Sequence, residues 1–341
     1  VLRYLDPYTQ NPGHNNYSPV ILDVGDLTRG TDINVLRNKP YLLVHGSRKD
    51  TRVMSRKLVL NTGKLLDQGI LEIDKKTLQL KVANQKEWEK KLMSSVIEVQ
   101  IEDRVGIIKL NRPDSLNAFN NELSDALYSQ IEEFNESSVV NSILITGNGK
   151  AFSAGADVAG FQEGNTKKRS PLSWNNLIEL FIRSKPIIAA INGFAVGMGI
   201  TLFLFSDVRL ASKDAKISFR FVKIGLTPEY GSTRRLSDIV GISTASELML
   251  TGKFVDGKEA ERIGLISRSY DSDDLYNESL KISKDIAENS NWHNKVIKEM
   301  IFNNYHKDYD KVLEIEGDIF SKARHTKEHK DFVKKFMNDS K

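Results

Sequence analysis

Two stretches of this sequence combine an apolar run with a cluster of very small residues, a pattern that can present backbone N–H groups to a ligand. In the first, Ile143-Leu144-Ile145-Thr146 reads as a buried strand, and Gly147-Asn148-Gly149 break it. Lys150-Ala-Phe-Ser-Ala-Gly-Ala-Asp157 follows. Small side chains let a ligand approach the main chain, and Gly155 permits turns that other residues resist. Alone, this corner is either an ordinary strand-to-helix turn or a binding loop at the end of a buried strand. The second stretch has the same grammar. The strand Ile187 to Ile191 runs into Gly193, Gly197 and Gly199, then into an apolar helix from Ile200 to Phe205. Two strand-Gly-helix corners can aim two backbone N–H groups at one oxygen, which is what an oxyanion hole requires. Helix N-termini supply such donors ready-made.

Composition bounds the remaining chemistry. The chain has 341 residues, room for one large domain with an extension or for two domains. It has no cysteine, which excludes disulfides, thiolate nucleophiles and Cys-ligated zinc or iron–sulfur centres. No stretch is long and apolar enough for a membrane-spanning helix. The net charge of +4 is unevenly spread: residues 1–93 hold sixteen Lys/Arg against ten Asp/Glu. The first residue is Val1 rather than Met, as expected where a presequence has been removed or the sequence starts internally. The last residues, Asn338 to Lys341, are not a Ser-Lys-Leu peroxisomal address.

The elements that must position the two loops follow from periodicity. Residues 1–93 are turn-rich at Asp6-Pro7 and Asn11-Pro12-Gly13, with short apolar pieces at 20–22, 41–44 and 58–60. Residues 70–73 and the alternating Leu78 to Val82 read as paired strands. Ala83 to Leu92 reads as a charged helix or linker. Val96–Ile101 and Val105–Leu110 read as a hairpin around Asp103-Arg104. Residues 121–134 carry Leu123, Leu127, Ile131 and Phe134 at helical spacing, and 172–183 bring Leu177, Leu180 and Phe181 to one face. Val208–Ala211 reads as a further strand, and the chain from Thr244 onward as helical. Repeated strand-helix units with a helical tail make an α/β fold.

Placed in order, these residues resemble one family. Asn111-Arg112-Pro113 with Leu116-Asn117-Ala118, then Phe152-Ser-Ala-Gly-Ala-Asp157, Asn192-Gly193-Phe-Ala-Val-Gly197 and Asp207 agree with the crotonase (enoyl-CoA hydratase/isomerase) superfamily. So does the run from Thr251-Gly252 through Glu259-Ala260 to Gly264-Leu265. The resemblance covers residues 94 to about 340 and leaves 1–93 unmatched. It implies a crotonase-like ββα spiral over 94–270 and a C-terminal helical trimerisation region over 271–341. An irregular basic N-terminal extension of unknown fold, 1–93, precedes them. It also implies an acyl-CoA substrate, no cofactor and no metal. The thioester oxygen would lie between the N–H groups of Ala156 and Met198. Ala118, Ala154, Gly155, Asp157, Val158 and Gly197 would line the substrate and its CoA moiety.

Hydratases of the superfamily use two glutamates, which fall at Thr201 and Phe221 in this chain. The isomerases carry one acid in a Leu-x-Pro-Glu pattern, matched here by Leu226-Thr227-Pro228-Glu229. The resemblance is closest to the type 2 Δ3,Δ2-enoyl-CoA isomerases of unsaturated fatty acid β-oxidation. It implies Glu229 as a single base, a homotrimer or hexamer, and a mitochondrial matrix location or, alternatively, a peroxisomal one. A second reading is a non-catalytic relative recruited into a mitochondrial assembly such as the ribosome, with residues 1–93 docking it, possible RNA contact included. Of the other candidates, Asp157 is expected to fix its loop or cap a helix rather than act in catalysis. His325 and His329, four residues apart, are expected on a solvated helix face rather than on a metal. Trp174 belongs to the core or the acyl pocket. Arg234 and Arg235 belong to the surface, a trimer contact or CoA phosphates.

Overall fold

A computed structural model describes residues 95–157 and 174–339, together with the backbone of six short strands between residues 20 and 82. Those strands are β1 (Val20–Asp23), β2 (Thr31–Asp32), β3 (Tyr41–Gly46), β4 (Arg56–Asn61), β5 (Leu71–Asp74) and β6 (Gln79–Val82). The expected pairing of 70–73 with 78–82 is present: β5 and β6 are antiparallel, with Leu71 opposite Val82. The turn-rich residues 1–19 and the segment 83–92 lie outside the described residues.

The hairpin is β7 (Ile97–Glu102) with β8 (Val105–Leu110), and Asp103 and Arg104 both take left-handed backbone (φ 44° and 67°). A two-residue turn with this handedness matches the twist of the strands it joins. Next comes the helix Asn121–Glu136, capped by the Asn120 side chain, which accepts from Leu123 N. The spiral then makes three similar turns. Each contributes one long strand and one three-residue strand: β9 (Ser142–Gly147) with β10 (Ala151–Ser153), β11 (Ile187–Ile191) with β12 (Phe194–Val196), and β13 (Val208–Ser212) with β14 (Lys216–Ser218). The short strands form their own parallel sheet, β10-β12-β14. The long ones lie in a nine-stranded sheet of order β1-β3-β4-β7-β8-β9-β11-β13-β15, where β15 is Arg268–Tyr270.

The unbroken apolar runs of β9 and β11 are explained by coverage on both faces. One face, Leu144, Ile188, Ala190 and Leu210, packs on Leu275, Leu280 and Ala287 of the helix Ser272–Ala287. The other, Ile143, Ile145, Ile187, Ala189 and Ile191, joins the main core. There Phe152 and Phe181 meet the Phe203 ring edge-on at 4.5 and 5.5 Å. Leu177, Leu180 and Phe181 of the helix Trp174–Arg183 point inward, as their spacing predicts.

The structure departs from periodicity in short elements. Residues 151–153 and 194–196, read as loop, are strands, and 200–205 is a four-residue helix (Met198–Thr201) running into a 3-10 turn (Leu202–Phe205) rather than one helix. The chain from Thr244 is not wholly helical, because β15 closes the sheet edge against β13. A helix at Ser232–Val240 was not legible either. Three-residue strands carry no period of their own; sheet neighbours create them. The remaining helices are Ile242–Thr251, Gly257–Arg262, Asn291–Asn304, Tyr309–Ala323 and Lys327–Asp339. No helix among the described residues is long and apolar enough to cross a membrane.

Candidate active site

The two loops meet because β10 and β12 are neighbours. Gly155 sits in left-handed backbone (φ +99°), and a Cβ placed there would lie 2.6 Å from Val196 O and 3.5 Å from Met198 N. Only glycine allows the 153–157 corner to lie this close to the start of the Met198–Thr201 helix. Gly199 closes the contact from the other side, its Cα facing the Ser153 carbonyl with no room for a side chain.

The backbone around Ala156 shows where its N–H points. Ala156 forms a parallel bridge with Phe119. The bonds of that bridge are made by its neighbours: Phe119 N donates to Gly155 O at 2.7 Å, and Asp157 N donates to Phe119 O at 2.9 Å. The Ala156 N–H therefore faces away from Phe119. Met198 is the first residue of its helix, so its N–H has no intrahelical acceptor. Neither amide donates to another group among the described residues. Two free donors on adjacent loops can hold one developing negative oxygen.

A network of side chains fixes this pair. Asn117, buried and in left-handed backbone (φ 54°), donates to Asn148 O and Ala151 O at 2.9 and 2.7 Å and accepts from Arg112 N at 2.7 Å. Ser153 Oγ donates to Asn117 O at 2.8 Å, and Ala154 N donates to Leu116 O at 2.9 Å. Arg112 bridges the Ala118 carbonyl and the Asp157 carboxylate, the latter at 2.9 Å. Asp157 thus fixes its loop, as expected, through Arg112. Ala118, Ala154, Gly155, Asp157 and Gly197 all fall on these loops. Val158 and the Trp174 side chain lie outside the described residues.

Glu229 reaches the site from the segment before the helix Ser232–Val240. Thr201 Oγ1 donates to Glu229 Oε1 at 3.2 Å. Thr201 ends the helix that Met198 begins, so the Glu229 carboxylate is bonded to the same short helix whose first N–H is a candidate donor. Burial pushes the Glu229 carboxyl above its ordinary range, and the Thr201 hydroxyl draws it partly back. The other hydratase position, Phe221, is buried, and its ring would lie 3.7 Å from a Cβ placed on Gly197. Among the described residues the site thus holds the Glu229 carboxylate bonded to a hydroxyl, with the Phe221 ring beside Gly197.

Other candidates fall elsewhere. Arg235 donates to Leu204 O at 3.1 Å and covers the Phe302 ring at 4.7 Å, an internal contact. Arg234 is exposed and pairs with Asp238 at 3.0 Å. His325 precedes the helix Lys327–Asp339 and His329 lies on it; both are exposed. No group of three or more metal-ligating side chains occurs among the described residues. Sequence reasoning missed the buried Lys298, whose ammonium meets Asp207 at 2.8 Å. Nothing in its helical context marks it, since its partner is ninety-one residues away.

Known proteins resemble this chain in sequence and in fold. The profile of the enoyl-CoA hydratase/isomerase family matches residues 100–341. A short-chain-enoyl-CoA hydratase of Clostridium acetobutylicum is 34% identical over 244 residues, 70% of this chain and 94% of that one. A mitochondrial enoyl-CoA hydratase of Pongo abelii is 32% identical, over 70% of this chain and 82% of that one. The crystal structure of an enoyl-CoA hydratase/isomerase from Pseudoalteromonas atlantica T6c superposes with a TM-score of 0.59 at 32% identity. The match covers 72% of this chain and 98% of that one.

Proposed function

Since this chain belongs to the enoyl-CoA hydratase/isomerase family, whose fold it adopts, we propose that it is an enoyl-CoA isomerase, shifting a 3-enoyl-CoA to the trans-2-enoyl-CoA. One observation carries the reading: Glu229 accepts a hydrogen bond from Thr201, and the two positions at which hydratases of the superfamily hold glutamates are Thr201 and Phe221 in this chain. Adding water across the double bond requires one group to activate the water and another to deliver or hold the second proton. A threonine hydroxyl and a phenyl ring do neither at neutral pH. Moving a proton requires only one base, because what leaves C2 returns at C4.

In that reaction Glu229 takes a proton from C2. The C–H electron pair becomes the C1=C2 bond of a dienolate, and the thioester oxygen gains the charge. The Ala156 and Met198 N–H groups hold that oxygen, each worth roughly 3 kcal/mol in the transition state. Glu229 then gives the proton to C4: the C3=C4 pair forms the new C4–H bond, the C1=C2 pair moves to C2=C3, and an oxygen lone pair restores the thioester carbonyl. Burial brings the carboxyl nearer the working pH, which suits an acid that must both accept and release. The curated relatives described above are named hydratases, so the substitutions at 201 and 221 are what separate this reading from theirs. Exposed apolar residues on the C-terminal helices, among them Leu313, Phe320 and Phe332, support assembly as a homotrimer. A relative named mitochondrial supports a mitochondrial location. The alternative of a non-catalytic recruited subunit gains no support, because the curated relatives are named as enzymes and the donors and the acid stand together.

The test is purified protein with trans-3-hexenoyl-CoA, following the conjugated 2-enoyl thioester, beside crotonyl-CoA hydration and the Glu229→Gln variant. Isomerisation should dominate and fall by about 10³-fold or more in the variant. Hydration outpacing isomerisation, or isomerisation surviving the substitution, would overturn the proposal.

A further inference from the structure

We infer that Thr201 is a positioning residue for Glu229, its hydroxyl anchoring Oε1 and leaving Oε2 as the oxygen that carries the proton. The inference rests on the isomerase reading and adds a role for a residue that reading treats only as a missing acid.

Three observations support it. First, the hydroxyl that donates to Oε1 at 3.2 Å belongs to a fixed side chain. Thr201 is fully buried and its N–H is held by Gly197 O at 2.9 Å. A β-branched side chain in a helix has few χ1 choices, and this one is committed to Glu229. Second, the backbone that presents Glu229 is equally constrained. Its carbonyl accepts from Ser232 N at 3.0 Å, and Tyr230, the next residue, is buried in left-handed backbone (φ 57°). Third, among the described residues the groups that shift Glu229 are few: burial raises its carboxyl and Thr201 lowers it. The neighbouring titratable group is the Tyr230 phenol, itself pushed up by burial and by the Glu229 charge.

The geometry gives the two oxygens different work. A base that moves a proton between two carbons of one substrate must swing through a short arc without losing its aim. With Oε1 held, the carboxylate pivots about that bond and Oε2 sweeps from C2 to C4. The hydroxyl can keep donating to Oε1 whether Oε2 is bare or protonated, so the anchor persists through both half-reactions. Without the donor the carboxylate samples more orientations, and its ionised form loses the bond that stabilises it.

The experiment compares wild type with Thr201→Val, which removes the donor at nearly constant shape, and Thr201→Ser, which restores it. Steady-state isomerisation of trans-3-hexenoyl-CoA is measured across pH. For Thr201→Val, kcat should fall about tenfold or more while KM stays within about twofold. The acidic limb of kcat/KM should move to higher pH, and Thr201→Ser should recover most of both. If the valine variant fails to fold, Thr201→Ala carries the same expectation. An active wild type with an unchanged valine variant overturns this inference alone, as does equal loss in the valine and serine variants. A wild type without isomerase turnover removes the isomerase reading and this inference with it.

Discussion

Lys298→Met should destabilise the fold sharply, and the structure sets the size of the effect. Lys298 lies on the helix Asn291–Asn304 and is 4% exposed. Its ammonium donates to Asp207 Oδ2 at 2.8 Å, Ser184 Oγ at 3.2 Å and Lys185 O at 3.3 Å. The same Oδ2 accepts from Ile187 N at 2.7 Å, so the pair ties this helix to the first residue of β11, the strand that leads toward Met198. Methionine keeps the length of the stem and deletes the charge. Asp207 would then hold a mostly buried negative charge with the Ile187 N–H and the more distant Arg209 charge as partial compensation. Breaking one partner of a buried pair costs about 3–5 kcal/mol. At ~2–4 °C per kcal/mol for a chain of this size, Tm should fall by roughly 6–20 °C.

The loss should also depend on pH. Burial holds the Asp207 carboxyl above its ordinary range, while Lys298, the Ile187 N–H and the Arg209 charge draw it back. A group with a raised folded pKa contributes stability that is complete below its unfolded pKa and is lost as pH rises through the folded value. Removing Lys298 raises that value further, so the deficit should be largest near neutrality and shrink on acidification. Asp207→Asn combined with Lys298→Met should recover much of the loss, because no unpaired charge remains. Urea and thermal melts across pH, read by circular dichroism, measure all of this. A deficit under about 1 kcal/mol at neutral pH, or one that does not change with pH, would refute the electrostatic argument.

Two more outcomes follow from the site. Gly155→Ala should lower kcat by about 100-fold or more, because its Cβ would meet Val196 O and crowd Met198 N, spreading the two donors; unchanged kcat in steady-state assays would remove Ala156 and Met198 from the hole. Glu229→Gln should melt slightly above wild type near neutrality, since the raised carboxyl loses stability as pH rises through its folded pKa and the amide does not. That advantage should vanish in melts below the ordinary carboxylate range, and an advantage that persists there would point to packing instead.

Much of the site was legible along the chain because its parts are local. Ala156 and Met198 each sit just after a strand, inside a loop whose small residues announce close backbone approach, and the two loops do approach each other at Gly155. Glu229 was legible only through the Leu-x-Pro-Glu resemblance. Its own surroundings, Thr227-Pro228 before and Tyr230-Gly231 after, read equally well as a solvated turn. The apolar strands β9 and β11 and the amphipathic helices were visible in their periods, since a run buried on both faces or one stripe of a helix leaves a trace within a few residues.

The sequence by itself determined the class of fold, the positions of the long strands and helices, and the two glycine-rich corners, because each is written in residues adjacent in the chain. Tertiary structure alone decided what depends on distant partners. The three-residue strands β10, β12 and β14 exist because each borrows a sheet neighbour. Lys298 is buried because Asp207 waits for it across ninety-one residues. Thr201 faces Glu229 because the spiral brings the end of one short helix against the segment that precedes another. A hydrogen bond between residues twenty-eight apart has no period and no composition, and only packing reveals it.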